Sequence, residues 1–385
     1  MPDVFVAGIG TVPVGEHWDK SLANLSAKAI LTALRDAGNI QPDALYAGNL
    51  LASSASEQTN LAALVADNVR LTGVEAYTVE AGEASGAAAF RQGYLAVKSG
   101  YVSAALVVGV EKYTDVVGPE AEEMAARTAD YDFEAVHGQT PAGEAALLMR
   151  RYMHEYGAPR SAFGILPRLA HRNAVGNPHA MYRRPLAEET YESAPIIADP
   201  LNLYDAAPYA DGAAAVLLVG EKDADKLIHA PVQVVASSAA VDALALHDRH
   251  DILAFSASSI SAGQALSSAG LGWEEIDFFE LWDAFSIYGI LTIEASGLAP
   301  RGDGWRWLEE TDISTEGKFP LLTMGGNKAR GFPLGATGVY QVAETVEQLR
   351  GNAGANQVPG AKTALVQALG GPAANAVTHI FIKFA

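Results

Sequence analysis

Cysteine is missing altogether from these 385 residues. Its absence excludes disulfides, thiolate-ligated metal sites and a cysteine nucleophile together. It does not choose between a reducing and an oxidising compartment. Positive charge is scarce as well: 26 Lys and Arg stand against 45 Asp and Glu, for a formal net charge of -19. Such a surface repels nucleic acid and anionic bilayers, so neither is an expected partner. An anionic small ligand would need basic residues gathered locally. Long hydrophobic runs are lacking too. AALVVGV at 104–110 and AAAVLLV at 213–219 are strand-sized, far below the ~18 residues of a membrane helix. The opening MPDVFVAGIGTVPVG has no basic start and no long apolar core, so no secretory signal is read and a cytoplasmic location is expected. His171 and His179 have no partner at a ligand spacing, and no metal site is expected.

What is present reads as a globular protein, 49% hydrophobic and 18% charged. Its length favours two intimately packed halves over one core. The strand VFVAGIG leads into the amphipathic SLANLSAKAILTALRDAG, which stops at Gly38. ALYAGNLL, EQTNLAALVADNVRLTG, AYTVEAG, a helix from Ser85 to Ser99 and strand 104–110 continue the alternation. This pattern predicts an α/β fold with a mostly parallel sheet covered on both faces. From Thr114 to Pro200 the texture turns charged and aromatic, with QTPAGEAALLMRRYMHEYG as its clearest helix, and an inserted subdomain is expected there. A weak repeat supports duplication: ALRDAGNIQPDALYAGNL from Ala33 and ALSSAGLGWEEIDFFELW from Ala265 each pass from a helix through an acidic turn to a strand. The expected division is 1–240, carrying the insertion at about 114–200, and 241–385.

Three glycine-bearing segments fit ligand loops at strand ends: EAGEASGAAAF (80–90), GGNKARGFPLGATG (325–338) and QALGGPAANA (367–376). Together with YDFEAVHGQTPAGEAALLMRRYMHEYG, AHRNAVGNPHAMYRRPL, ADPLNLYDAAPYADGAAAVLL, FFELWDAFSIYG and NQVPGAKTALVQALGG, they stand in an order that resembles the thiolase superfamily. The resemblance is nearest to its archaeal and sterol-carrier-protein-type branch and runs from the first strand to the last.

That resemblance implies a thiolase-like fold: two duplicated βαβαβαββ halves packed as five α-β-α-β-α layers, with an inserted loop subdomain. It also implies a dimer, a site fed by acyl-coenzyme A, and a possible small zinc-ribbon/OB-fold partner or an active thiolase paralogue. Carried over position by position, the family's cysteine nucleophile falls on Glu83, its Gly-His-Pro histidine on Phe332, and the oxygen-holding donor before Asp283 on Trp282. A phenyl ring takes no proton, a carboxylate is a poor acyl acceptor, and an indole offers one N–H but no base. Losing even one member of a catalytic set costs orders of magnitude in rate, so ordinary thiolysis is not expected.

Glu83 has two readings. As a charge at a helix start it gains about 0.3–1 kcal/mol from the dipole; as the base of an acyl-CoA carbon–carbon lyase or acyltransferase it needs burial to raise its pKa. Tyr288, beyond Asp283, is a proton-donor candidate beside a plain core reading. Arg183, Arg184, Lys328 and Arg330 are the expected cations for coenzyme A phosphates. The expected function is a thiolase-like, acyl-CoA-binding protein without standard thiolase chemistry, with no tightly bound cofactor. The lyase and a structural partner of a paralogue are its alternatives.

Overall fold

Residues 2–384 are described by the structure, a computed structural model. The apolar runs become β1 (Val4–Thr11), β2 (Ala44–Gly48), β3 (Glu75–Val79), β4 (Ala104–Glu111), β5 (Ile196–Ala198), β6 (Leu201–Asn202), β7 (Gly212–Gly220), β8 (Val232–Val241), β9 (Phe278–Glu280), β10 (Thr363–Gly370) and β11 (Asn375–Lys383). The helices are α1 (Leu22–Asp36), α2 (Ala52–Ala55), α3 (Leu61–Asn68), α4 (Ser85–Lys98), α5 (Pro119–Ala125), α6 (Pro141–Tyr156), α7 (Ile165–Ala174), α8 (Glu188–Glu192), α9 (Ser256–Ala269), α10 (Ser286–Ala295), α11 (Gly304–Glu310) and α12 (Thr337–Arg350).

Nine strands form one sheet in the order β3-β2-β4-β7-β1-β8-β11-β10-β9. Its two parts meet at β1 and β8, paired only through Phe5–Gln233 and Val6–Val232. Outward from that seam the halves repeat. The first runs β1, β7, β4, β2, β3; the second runs β8, β11, β10, β9, and Leu321 bridges Phe279 where β3 lies beside β2 in the first. The repeated segments at Ala33 and Ala265 are the passages from α1 to β2 and from α9 to β9, the same step in each half.

The expectation of a mostly parallel sheet is corrected. Only β2–β3, β2–β4 and β9–β10 are parallel, whereas β1–β7, β4–β7, β1–β8, β8–β11 and β10–β11 are antiparallel. Periodicity marks a strand but not its direction. Here β11 returns through the short turn after Gly370, and β7 returns only after the whole insertion. That insertion holds α5 to α8 and the β5–β6 hairpin. Its helix α6 is fixed by local rules: Thr140 Oγ1 accepts from Gly143 N–H at 3.1 Å, Pro141 opens the helix, and Gly157 ends it at φ 66°.

Alternation along the strands sorts the core into layers. Leu106, Val108, Leu217 and Val219 face α1 and α3 on one side of the first half. Val107 and Val216 face the other way, into a core with Phe90 of α4, Val339 and Val346 of α12, and Val366 and Phe381 of the second half. Leu365 and Ile380 then face Ala257 and Ala265 of α9. The helix pair α4 and α12 is thus the middle layer of five.

These two helices touch at their first turns through glycine. A Cβ on Gly86 would lie 2.7 Å from Gly335 O, and one on Gly338 would lie 2.5 Å from Ala87 N. Gly338→Ala is therefore expected to cost ~1–3 kcal/mol through overpacking. Gly263→Ala, in α9 with nothing within 4 Å of the new Cβ, is expected to stabilise by about 0.5–1 kcal/mol. Urea midpoints that rank the two variants the other way would contradict this account of the middle layer.

Candidate functional site

The tight approach of α4 and α12 brings two loops together at their amino ends. Before α4, Ser85 Oγ donates to Gly82 O at 2.5 Å and accepts from Ala81 N–H at 3.0 Å, closing the turn that presents Glu83. The Glu83 side chain is 7% exposed, and its Oε2 accepts from Gly371 N–H at 2.7 Å. The donor comes from the third glycine segment, after β10, not from the helix. Burial pushes the Glu83 carboxyl above its ordinary value of 4.5, and the Gly371 N–H opposes this without cancelling it. Desolvation is thus the largest influence on this carboxyl, ahead of the hydrogen bonds that favour its charge.

Before α12, Phe332 is buried and stacks on Tyr209 at 5.8 Å, while Trp282 meets Phe332 edge to face at 5.5 Å. Backbone bonds lock this wall: Phe332 N–H donates to Pro208 O at 2.9 Å and Ala210 N–H to Phe332 O at 3.1 Å. The Tyr209 hydroxyl is raised well above its ordinary value, first by burial and then by the charges of Glu122, Tyr113 and Glu83. Glu83 and the aromatic wall thus share one electrostatic neighbourhood. Tyr288 lies in it as well, buried between Phe255 (5.6 Å) and Phe285 (5.1 Å) and raised by burial, Glu144 and Glu83. Asp283 holds the neighbouring loop, accepting from Asn327 N–H at 2.6 Å.

Three members of this neighbourhood escape the sequence reading. Tyr209 sits inside a motif that points to the family, and its position there was the available signal. Glu144 lies in the first turn of α6, 4% exposed, with Oε1 lacking a partner among the described residues. Burial and the nearby Glu134 and Glu83 raise it to about 8, against the pull of Arg249. Arg249 is itself buried and donates to Pro372 O at 2.6 Å and Ala243 O at 2.8 Å; nothing in its local sequence marks it.

A cavity of about 700 Å³ opens beside the wall. Pro208, which bonds Phe332, is part of its lining, as are Arg183, Arg184, Lys328 and His171. Arg183 and Arg184 are exposed at it. His171 lies between Tyr182 (6.1 Å, stacked) and Tyr204 (5.8 Å, edge-on), and burial lowers its pKa. Lys328 reaches the cavity from within the protein, 2% exposed. Arg330 does not line it. Its guanidinium is fully buried and pairs with Glu344 at 2.7 Å and Asn327 Oδ1 at 2.6 Å, because a cation taken out of water needs such partners. The expectation that it faces a coenzyme phosphate is corrected accordingly. Among the described residues no group of His, Asp and Glu is arranged to hold a metal ion, and no helix is long and apolar enough to cross a membrane.

The raised Glu144 carboxyl has a thermodynamic signature. The folded chain keeps a proton up to about pH 8 that the unfolded chain releases near 4.5, so stability falls as pH rises through that window. In Glu144→Gln this loss is absent. Urea midpoints of the variant should gain on the wild type steadily from about pH 5 to pH 8; a pH-independent gap would remove Glu144 as the source.

Comparison with known proteins places the chain. The thiolase N-terminal domain matches residues 4–222, and a thiolase C-terminal domain-like region matches residues 238–383. An acetyl-CoA acetyltransferase of Methanothermobacter thermautotrophicus is 40% identical over 385 residues, 100% of both chains. The benzoylsuccinyl-CoA thiolase subunit BbsB of Thauera aromatica is 31% identical over 363 residues, 93% of this chain and 90% of that one. Among solved structures, an Ltp2-ChsH2(DUF35) aldolase superposes with a TM-score of 0.86 at 24% identity, covering 98% of this chain and 97% of the other. Human mitochondrial 3-ketoacyl-CoA thiolase in complex with CoA superposes with a TM-score of 0.74 at 22% identity, covering 100% and 98%. Those two likenesses carry the fold, and the domain and sequence matches carry the kinship: this chain belongs to the thiolase family.

Proposed function

We propose that the chain binds an acyl-CoA in the cavity flanked by Arg183 and Arg184 and does not carry out thiolysis. The carrying observation is what stands next to that cavity: a wall of Phe332, Tyr209 and Trp282 backed by the buried Glu83. In the reading adopted here, Glu83, Phe332 and Trp282 occupy the family's nucleophile, base and oxygen-holding positions. None supplies a thiolate, and neither aromatic ring accepts a proton at neutral pH. Exposed guanidinium groups at a cavity mouth suit the phosphates of coenzyme A despite the acidic total. A homodimer in the cytoplasm fits the family, and a small zinc-ribbon/OB-fold subunit or a cysteine-bearing paralogue is the partner class proposed, after the DUF35 component named for the superposed aldolase.

A second reading is favoured by one observation, the raised carboxyl of Glu83 with Tyr288 and Glu144 in its field. A carboxylate poised nearer neutrality can take a proton from carbon or oxygen, which fits a carbon–carbon lyase acting on a coenzyme A ester.

Calorimetry with coenzyme A should give measurable heat, and Arg183→Ala combined with Arg184→Ala should weaken binding about tenfold, or ~1.4 kcal/mol, with the difference shrinking at high salt. Absence of heat at millimolar ligand would defeat the binding reading. Acetoacetyl-CoA with free coenzyme A should yield no acetyl-CoA; turnover would defeat the non-thiolytic part. For the lyase, Glu83→Gln should abolish turnover while leaving coenzyme A binding intact, and an unchanged rate would remove Glu83 from that role.

A further inference from the structure

Lys328 is anchored unlike the arginine two residues away. Arg330 ends on a carboxylate, Glu344. The Lys328 ammonium, equally withdrawn from water, ends on a backbone carbonyl, donating to Asp205 O at 2.6 Å. The two carboxylates in its surroundings are engaged elsewhere. Asp205 pairs with Arg160 at 2.9 Å and accepts from Tyr191 Oη at 2.8 Å and Asn202 N–H at 2.9 Å; Asp283 accepts from the backbone of Asn327 and Lys328. A buried cation with a neutral acceptor is poorly stabilised as a cation. Burial lowers the Lys328 amine to about 8, and the charges of Asp283 and Asp205 only partly restore it.

The local backbone fixes where this amine stands. Gly325 at φ 102° and Gly326 at φ 51° admit a single π-helical turn over Gly326–Arg330. Such turns commonly mark functional positions. The turn leads to the aromatic wall at Phe332, and Lys328 lines the large cavity together with His171 and Pro208. His171 feels the Lys328 charge, which helps to keep the imidazole neutral.

We propose that Lys328 is a carbonyl-capturing amine, holding the keto group of a β-ketoacyl thioester, or an aldehyde of similar size, as a Schiff base in this cavity. The neutral amine forms the Nζ–C bond as the carbonyl π pair moves to oxygen. The two amine hydrogens then pass to that oxygen, which leaves as water when the C=N bond closes. His171 can relay a proton in the second stage, and no oxidant or reductant is consumed. The proposal rests on the binding reading only in its choice of ligand. It differs from a phosphate clamp in asking Lys328 for an uncharged nitrogen, and it gives this site a reactive nucleophile that is independent of Glu83.

Trapping is the test. The full chain is incubated with acetoacetyl-CoA, with and without sodium cyanoborohydride, and digested for peptide mass mapping; coenzyme A binding is followed in parallel by calorimetry. One reduced adduct on the Lys328 peptide is expected, dependent on the reductant, suppressed by excess coenzyme A, and forming faster from pH 6 to about pH 8 as the free amine appears. Lys328→Arg should lose the adduct. The mapping on wild-type protein decides the matter even if that variant fails to fold. Labelling confined to exposed lysines, or a reductant-independent amide on Lys328, would overturn the Schiff base. Binding heat with no adduct would overturn the Lys328 role and leave the binding reading standing, whereas neither heat nor adduct would overturn both.

Discussion

The meeting of α4 and α12 at their first turns is the constraint from which the rest of the site follows. Helices cross at this distance only where Cβ atoms are missing, and Gly86 and Gly338 supply that absence from opposite halves of the chain. Glu111, at the end of β4, secures the junction. Its two oxygens accept from Asn49 Nδ2 and from the N–H groups of Leu50, Leu51 and Gly335, at 2.9 to 3.1 Å. Glu111 thereby ties the loop after β2 to the start of α12, and the close approach of α4 and α12 brings Glu83 and Phe332 into one neighbourhood although 249 positions separate them in sequence. A duplicated fold concentrates its loop chemistry where its two halves touch.

Beyond those paired with arginines, Glu344 and Asp205, buried carboxyl groups in this protein differ in how many donors they find. Glu111, Asp211 and Asp283 are surrounded by backbone N–H donors and act as fixtures for loops; Asp211 alone accepts from the backbone of His17, Tyr113 and Thr114. Glu83 accepts one backbone N–H, and Glu144 leaves an oxygen without a partner among the described residues. Burial raises Glu111 and Asp283 as well as Glu83 and Glu144, but only the last two lie within electrostatic reach of Tyr288 among these four.

Much of this was legible in the sequence. Ordered motifs revealed the family, the helix-to-strand repeat marked equivalent steps in the two halves, and the Arg183–Arg184 pair lies on the cavity. What was not legible depended on distant partners. Strand direction was hidden because periodicity is blind to it. The Glu83 environment is set by Gly371, and that of Arg330 by Glu344 in α12; no local pattern announces either. Lys328 and Arg330, two positions apart in the same motif, look interchangeable as letters. A single π turn sends one to the cavity and the other to a buried ion pair.

The central claim is that the family's binding cavity persists beside a wall of groups that cannot form an acyl-enzyme. A crystal structure with coenzyme A tests it most directly. The account predicts phosphates near Arg183 and Arg184 and a pantetheine arm that runs along the cavity toward Pro208, ending against Phe332 and Trp282. Coenzyme A bound at another surface, or an acyl group covalently attached to Glu83, would contradict it.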